Sequence, residues 1–225
     1  MYEWAGKTRG EWTVIEGERF LPPPGLSKGE TSFADASMIE PFLSDTFRRL
    51  AQEGYLRDLP RARFAERAAD LMGDLNAAHP FREGNGRTQR EFLRGLAIEA
   101  GQRLDFSVVS QARMIEASID SARGEGEALR RMFLEISDRS RVKLLRQGIE
   151  ALEQQGRDWN ALYLATAAPG RAYAGEVTHR GREAALVQQG ERVIVAPARE
   201  LGTLAQLGQQ VQFTMGRGGG LDLEM

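Results

Sequence analysis

The sequence predicts a mainly α-helical core over residues 35–155, followed by a small β unit over residues 157–214. Throughout the first stretch, apolar residues recur at the spacing of one helix face. After Gly156 the pattern changes to short alternating apolar runs separated by glycine-containing turns. The 225 residues suffice for one good core and a small second unit, and no run approaches the roughly 18 apolar residues of a membrane span.

The core contains six predicted helices. Gly54 and Gly101 end the first and third of them, and Pro60 lies near the start of the second. The predicted spans are 35–54, 60–79, 87–100, 107–122, 127–136 and 139–155.

Residues 1–33 are rich in loops and turns. Glu11–Phe20 predicts a short hairpin, and Leu21–Gly25, with three consecutive prolines, can continue neither a helix nor a central strand. Lys28–Phe33 would form the second half of an exposed ribbon spanning residues 11–33.

The β unit is predicted from five apolar runs, which favour a small barrel or meander. The four glycines in residues 215–225 predict a flexible tail. The five runs are 163–166, 174–178, 184–187, 192–195 and 211–214.

The stretch His79–Arg90 combines features of an anion site. Gly84, Asn85 and Gly86 tolerate positive φ, so their N–H groups can turn toward one point. The helix predicted to open near Arg87 adds its N-terminus, and Arg87 and Arg90 share one face of that helix. Two guanidinium groups above such a loop suit a polyphosphate.

His79 ends an apolar helical stripe, so a core histidine is one interpretation and a general base beside a phosphate site is the other. The loop that follows favours the base. Glu83 is the only acid within the loop, and a glutamate beside a phosphate site is suited to Mg²⁺. Phe81 alternates with polar residues and is predicted to anchor the loop in the core.

This stretch resembles the Fic family signature, His-x-Phe-x-(Asp/Glu)-Gly-Asn-Gly-Arg-x-x-Arg, and matches it at every specified position. The resemblance implies a Fic-type helical core and transfer of AMP from ATP to a Ser, Thr or Tyr hydroxyl of a target protein. It implies His79 as the base and Glu83 on Mg²⁺. Gly84, Asn85 and Gly86 would bind the α- and β-phosphates, with Arg87 and Arg90 toward the γ end.

The resemblance extends beyond this loop. Tyr2–Arg9 is similar to a segment found upstream of many Fic cores. The residues Lys28, Gly29, Thr31 and Phe33 fall where the family has a flap that clamps the target by main-chain pairing. The stretch 157–214 is similar in place and length to an OB-like unit of one bacterial group.

Composition excludes several classes of site. With no cysteine there is no disulfide, thiolate metal site or cysteine nucleophile, which fits a reducing cytoplasm. The net charge of −2 gives no basic field for nucleic acid, and two histidines exclude a histidine-rich metal site. No nucleic-acid or membrane partner is predicted.

Many Fic proteins are inhibited by a helix bearing (Ser/Thr)-x-x-x-Glu-(Gly/Asn). Ser121–Gly126 fits those letters, but its two glycines at a helix end favour a coincidence. The resemblance then implies a toxin restrained by a separate small antitoxin, with a target inside the bacterium such as a type II topoisomerase. Two alternatives stay open: transfer of UMP, phosphocholine or phosphate, and a nucleotide-binding interaction module without transfer.

Overall fold

In the computed structural model the described residues are 6–20, 25–29, 31–202 and 205–216. All six predicted helices are present, which confirms the mainly α fold class. They are α1 (Ile39–Gln52), α2 (Arg61–Ala78), α3 (Asn85–Glu99), α4 (Gln111–Ala122), α5 (Glu127–Ile136) and α6 (Arg139–Gln154). Among the described residues, no helix is long and apolar enough to cross a membrane.

The chain forms two compact units. The first comprises residues 1–104 and 117–134, and the second comprises residues 105–116 and 135–225. The predicted domain boundary after residue 156 falls inside the second unit, because α6 belongs with the C-terminal strands. The predicted tail 215–225 lies outside the described residues from residue 217 onward.

The N-terminal strands form two separate hairpins. Strand β1 (Thr13–Ile15) pairs antiparallel with β2 (Glu18–Phe20), and β3 (Ser27–Lys28) pairs with β4 (Thr31–Ser32). The first hairpin confirms the prediction for Glu11–Phe20. The prediction that Lys28–Phe33 forms the second half of one ribbon is wrong, since short turns close each pair locally at a lower entropic cost than a long loop.

Helix α2 is the central helix of the first unit, and it is apolar around much of its circumference. Helix α3 returns beside it and contributes Leu93, Leu96 and Ala97 to the core. The functional stretch therefore lies where two packed helices are joined. The buried side chains of α2 are Phe64, Ala65, Ala68, Ala69, Leu71, Met72, Leu75 and Ala78.

The second unit contains the predicted five strands. They are β5 (Tyr163–Thr166), β6 (Ala172–Arg180), β7 (Ala184–Gln189), β8 (Arg192–Pro197) and β9 (Gln210–Thr214). Their order is β5-β8-β7-β6-β9, with β5 and β8 parallel and the other neighbours antiparallel. Closure into an OB-like barrel stays a prediction, since the pairings among the described residues do not join β5 to β9.

Helix α6 packs on this sheet at a glycine. A Cβ on Gly148 would lie 2.8 Å from Cγ2 of Val195, so the absence of a side chain lets helix and sheet approach closely.

A buried ion pair ties the ends of α4 and α5 to β5 within the second unit. Arg113 and Glu135 are joined at 3.0 Å, and both side chains are fully buried. Glu135 Oε2 also accepts the N–H of Thr166 at 3.0 Å, and Arg113 Nη1 donates to the carbonyl of Leu164 at 3.2 Å. The pair thus depends on both helices and the strand being in place.

Removing one charge of this pair is expected to destabilise the second unit. Glu135→Gln would leave the buried guanidinium uncompensated, at a cost of about 3–5 kcal/mol. The free energy of unfolding in urea measures the loss, with exposed Glu150→Gln as the matched control. Equal stability of the two variants would contradict the assignment.

Candidate active site

The candidate site is the connection between α2 and α3. Helix α2 ends at Ala78, and His79 follows in the left-handed region (φ 39°, ψ 57°), with its N–H donating to the carbonyl of Leu75 at 3.1 Å. Helix α3 begins at Asn85, after Gly84 with φ 81°. The helix thus starts two residues before the predicted Arg87, because Gly84 supplies the positive φ that the turn into the helix requires.

The side chain of Asn85 closes the connection. Its Nδ2 donates to the carbonyl of Phe81 at 2.6 Å, and its Oδ1 accepts the N–H of Phe81 at 2.8 Å. Asn85 is buried and Phe81 half-buried. The amide oxygen and one of the two Nδ2 hydrogens are thus engaged with the loop backbone.

Gln89, which the sequence analysis did not single out, joins the two helices. It is buried, and its Nε2 donates to the carbonyl of Leu75 at 3.0 Å. This bond ties the first turn of α3 to the last turn of α2. A glutamine at a core-facing position of α3 is the sequence signal that points to such a bond.

The predicted anion site lies at the N-terminus of α3. The first intrahelical bond runs from the N–H of Thr88 to the carbonyl of Gly84 at 3.0 Å, so the N–H groups of Asn85, Gly86 and Arg87 have no acceptor within the helix. These groups, with the helix dipole, favour a bound anion.

Two guanidinium groups lie over the glycines. A Cβ on Gly84 would lie 3.5 Å from Nη2 of Arg87, and a Cβ on Gly86 would lie 3.3 Å from Nη1 of Arg90. Within the described ranges, neither arginine has a hydrogen-bond or ion-pair partner. Among the described residues, the loop therefore carries two guanidinium groups without an acidic partner above N–H donors, an arrangement suited to a phosphate chain.

Glu83 is the acid of this loop. It is exposed, and the described part of the chain holds no group of three or more His, Asp or Glu side chains that could bind a metal alone. One carboxylate beside a phosphate site fits Mg²⁺, which commonly takes one or two carboxylates together with substrate phosphates and water.

Arg9 fixes the other side of His79. It is 3% exposed. Its Nε donates to the carbonyl of His79 at 2.8 Å, and its Nη2 donates to those of Ala34 at 2.9 Å and Ala78 at 3.3 Å. Its own N–H donates to the carbonyl of Pro80 at 2.7 Å. Arg9 belongs to the segment Tyr2–Arg9, which is similar to one upstream of many Fic cores, but no role was predicted for it.

The imidazole of His79 lies against an aromatic ring. The ring centroids of Phe33 and His79 are 3.9 Å apart at an interplanar angle of 24°. Nδ1 is buried without a hydrogen-bond partner among the described residues, which leaves Nε2 for proton transfer. Burial, and secondarily the charges of Arg9 and Lys28, lower the pKa of His79 below its ordinary value of 6.5. The imidazole is therefore neutral near pH 7, as a general base must be.

The predicted docking residues divide into two groups. Lys28 and Gly29 are exposed and Thr31 is half-buried on the second hairpin, where contact with a target stays a prediction. Phe33 instead stacks on His79. A further contact brings Arg82 of the loop over the ring of Phe20 at 5.0 Å.

The comparisons with known proteins agree with this geometry. The Fic/DOC family model matches residues 3–97. A protein adenylyltransferase of Bartonella henselae is 36% identical over 183 residues, covering 80% of this chain and 33% of that protein.

Solved structures are also similar. The type IV secretion system effector protein BepA superposes with a TM-score of 0.89 at 30% identity, over 96% of this chain and 75% of that one. BepC of Bartonella tribocorum, solved with bound AMPPNP, gives a TM-score of 0.58 at 36% identity, over 61% of this chain and 67% of that one.

The fold and the loop define a helical core of the Fic type. The chain belongs to the Fic/DOC family. It spans about a third of the length of two of the curated relatives that it matches.

Replacing Arg9 is expected to loosen the end of α2. Arg9→Met removes three hydrogen bonds from a charged donor, and we expect a loss of about 3 kcal/mol in the free energy of unfolding. Chemical denaturation of the variant measures the loss. Exposed Arg103→Met is the matched control, expected within about 0.5 kcal/mol of the parent. If both variants behave alike, the capping role fails.

Proposed function

We propose that this chain is a protein adenylyltransferase that transfers AMP from ATP to a Ser, Thr or Tyr hydroxyl of a target protein. The observation that carries the proposal is the meeting of a neutral imidazole, His79, with the cationic N-terminus of α3 on one short loop. The family membership and the names of its relatives support this chemistry.

In the proposed reaction the target hydroxyl attacks the α-phosphorus of ATP. Nε2 of His79 accepts the hydroxyl proton as the new P–O bond forms and the bond to the β-phosphate oxygen breaks. Pyrophosphate leaves. The N–H groups at the start of α3, together with Arg87 and Arg90, stabilise negative charge on the phosphate oxygens.

Magnesium fits this scheme at Glu83. When bound, Mg²⁺ would neutralise part of the phosphate charge. Glu83 would hold it from the loop that precedes α3, and its exposure leaves the carboxylate accessible to a nucleotide-bound cation. ATP is preferred as the donor because of the relatives' names and the AMPPNP in BepC. The loop itself accounts for phosphate binding and does not select a base.

The partners of this site are also proposals. Glu125 is exposed in the turn between α4 and α5, and no hydrogen bond or ion pair joins it to Arg90 within the described ranges. This supports an inhibitory helix from a separate small protein. We place the target in the bacterial cytoplasm, with a type II topoisomerase as a candidate. The similarity to a secretion effector makes a host protein the competing outcome of a labelling experiment.

The base assignment predicts that His79→Ala abolishes transfer. Loss of a general base lowers rates by about 10²–10⁴-fold, whereas ATP affinity should stay within about twofold because the phosphate groups contact other residues. Incubation with α-labelled ATP, Mg²⁺ and bacterial lysate measures transfer, and calorimetry measures ATP binding.

The chain supplies a matched control for this experiment. His179 is the only other histidine, and His179→Ala should label the same band at the parental rate. Unchanged labelling by the His79→Ala variant would refute the assignment of His79 as the base. Label from γ-labelled ATP in the parent would instead indicate phosphoryl transfer.

The lowered pKa of His79 predicts the acid side of the pH profile. A base is active when deprotonated, so transfer falls as the pH drops through the pKa of the folded protein, which lies below 6.5. At pH 6.5 the enzyme should therefore keep more than half of its plateau rate. The pH dependence of kcat/KM for ATP tests this, because it reports the pKa of the nucleotide-free enzyme. ATP binding is followed at each pH. A midpoint above 6.5 would contradict it.

A further inference from the structure

We propose that Phe33 is a positioning residue that holds the imidazole of His79 in its orientation for proton transfer. This inference rests on the proposed function, in which His79 is the base. Its starting observation is the nearly parallel stack of the two rings, with centroids 3.9 Å apart. At this separation the Phe33 ring covers one face of the imidazole and excludes water from it.

The backbone around Phe33 is tied to the end of α2. The N–H of Phe33 donates to the carbonyl of Leu26 at 2.9 Å, and the N–H of Ala34 donates to the carbonyl of Ala77 at 2.8 Å. The carbonyl of Ala34 accepts from Arg9, which also binds the carbonyl of His79. The backbones of Phe33 and His79 are thus held by hydrogen bonds that belong to one cluster.

No side-chain hydrogen bond to a described residue fixes the ring of His79. Nδ1 is buried and has no hydrogen-bond partner among the described residues. A histidine base is usually oriented by a bond from its second nitrogen. Packing against Phe33 is a contact that can limit rotation of the ring about its χ angles.

Phe33 also follows β4 directly, on the hairpin proposed to dock the target. A docking contact and a positioning contact make different predictions. Substitution of a docking residue changes KM for the target and leaves the NMR signals of the His79 imidazole unchanged. A positioning residue changes kcat. It also changes the NMR signals of His79, whether or not a target is present.

The experiment compares Phe33→Leu, which keeps apolar volume, with Phe33→Tyr, which keeps an aromatic ring. Exposed Phe47→Leu on α1 is the matched control. NMR of protein labelled at histidine detects the signals of two imidazoles, and the His179→Gln variant shows which signals belong to His79. We expect Phe33→Leu to remove the ring-current shift of the His79 protons and to raise its pKa toward 6.5. Phe33→Tyr should preserve both.

Kinetics complete the test. Phe33→Leu should lower kcat for AMP transfer by about tenfold at an unchanged KM for ATP, since small misplacements of a catalytic group have large effects on rate. Phe33→Tyr should stay near the parent. Unchanged His79 signals in Phe33→Leu, or altered signals with unchanged kcat, would overturn the proposal.

Different results would contradict the positioning role of Phe33 and the proposed AMP transfer. A raised KM for the target with parental kcat would assign Phe33 to docking and overturn the positioning role. If the parent transfers nothing while the His79 signals still respond to Phe33→Leu, the stack stands and the proposed function fails. Thermal unfolding of each variant verifies that it is folded.

Discussion

The site depends on one buried cation at the end of a helix. Arg9 donates to the carbonyls of Ala78 and His79 where α2 ends and its last carbonyls lack partners. A guanidinium at a helix C-terminus is favoured by the helix dipole, and burial strengthens the interaction. The same bonds fix the backbone on which His79 departs from the helix in a left-handed conformation. The backbone of His79, the proposed base, is therefore fixed by a residue far away in sequence.

Two helix ends of opposite polarity meet in this loop. At the C-terminal end of α2, the guanidinium of Arg9 binds the last carbonyls. At the N-terminal end of α3, the N–H donors and the guanidinium groups of Arg87 and Arg90 have no partner among the described residues. Arg9 also disfavours a second positive charge on His79, although burial of the ring has the larger effect on its pKa. The two helix ends thus separate the proposed anion site from the proposed base, His79, whose pKa is lowered.

Periodicity predicted the helices, and a dense local motif predicted the loop. All six helices are present, because amphipathic spacing and helix-ending residues are local features of a sequence. His79 also lies at the end of α2, and Gly84 precedes the start of α3, as the residues indicated. Phosphate binding by residues 84–90 stays a prediction.

The supporting contacts were not predictable in the same way. Arg9 lies 70 positions before His79, and nothing in local spacing marks a buried arginine. Phe33 follows a two-residue strand whose side-chain direction depends on the register of its hairpin, which the sequence analysis paired incorrectly. Asn85 was predicted to contact phosphate, and the bonds from its side-chain amide to the loop backbone were not predicted. The bonds from Asn85 to Phe81 close that loop into a small ring during folding. A nucleotide thus meets a loop whose conformational freedom is already lost, and more of the interaction energy remains available for affinity.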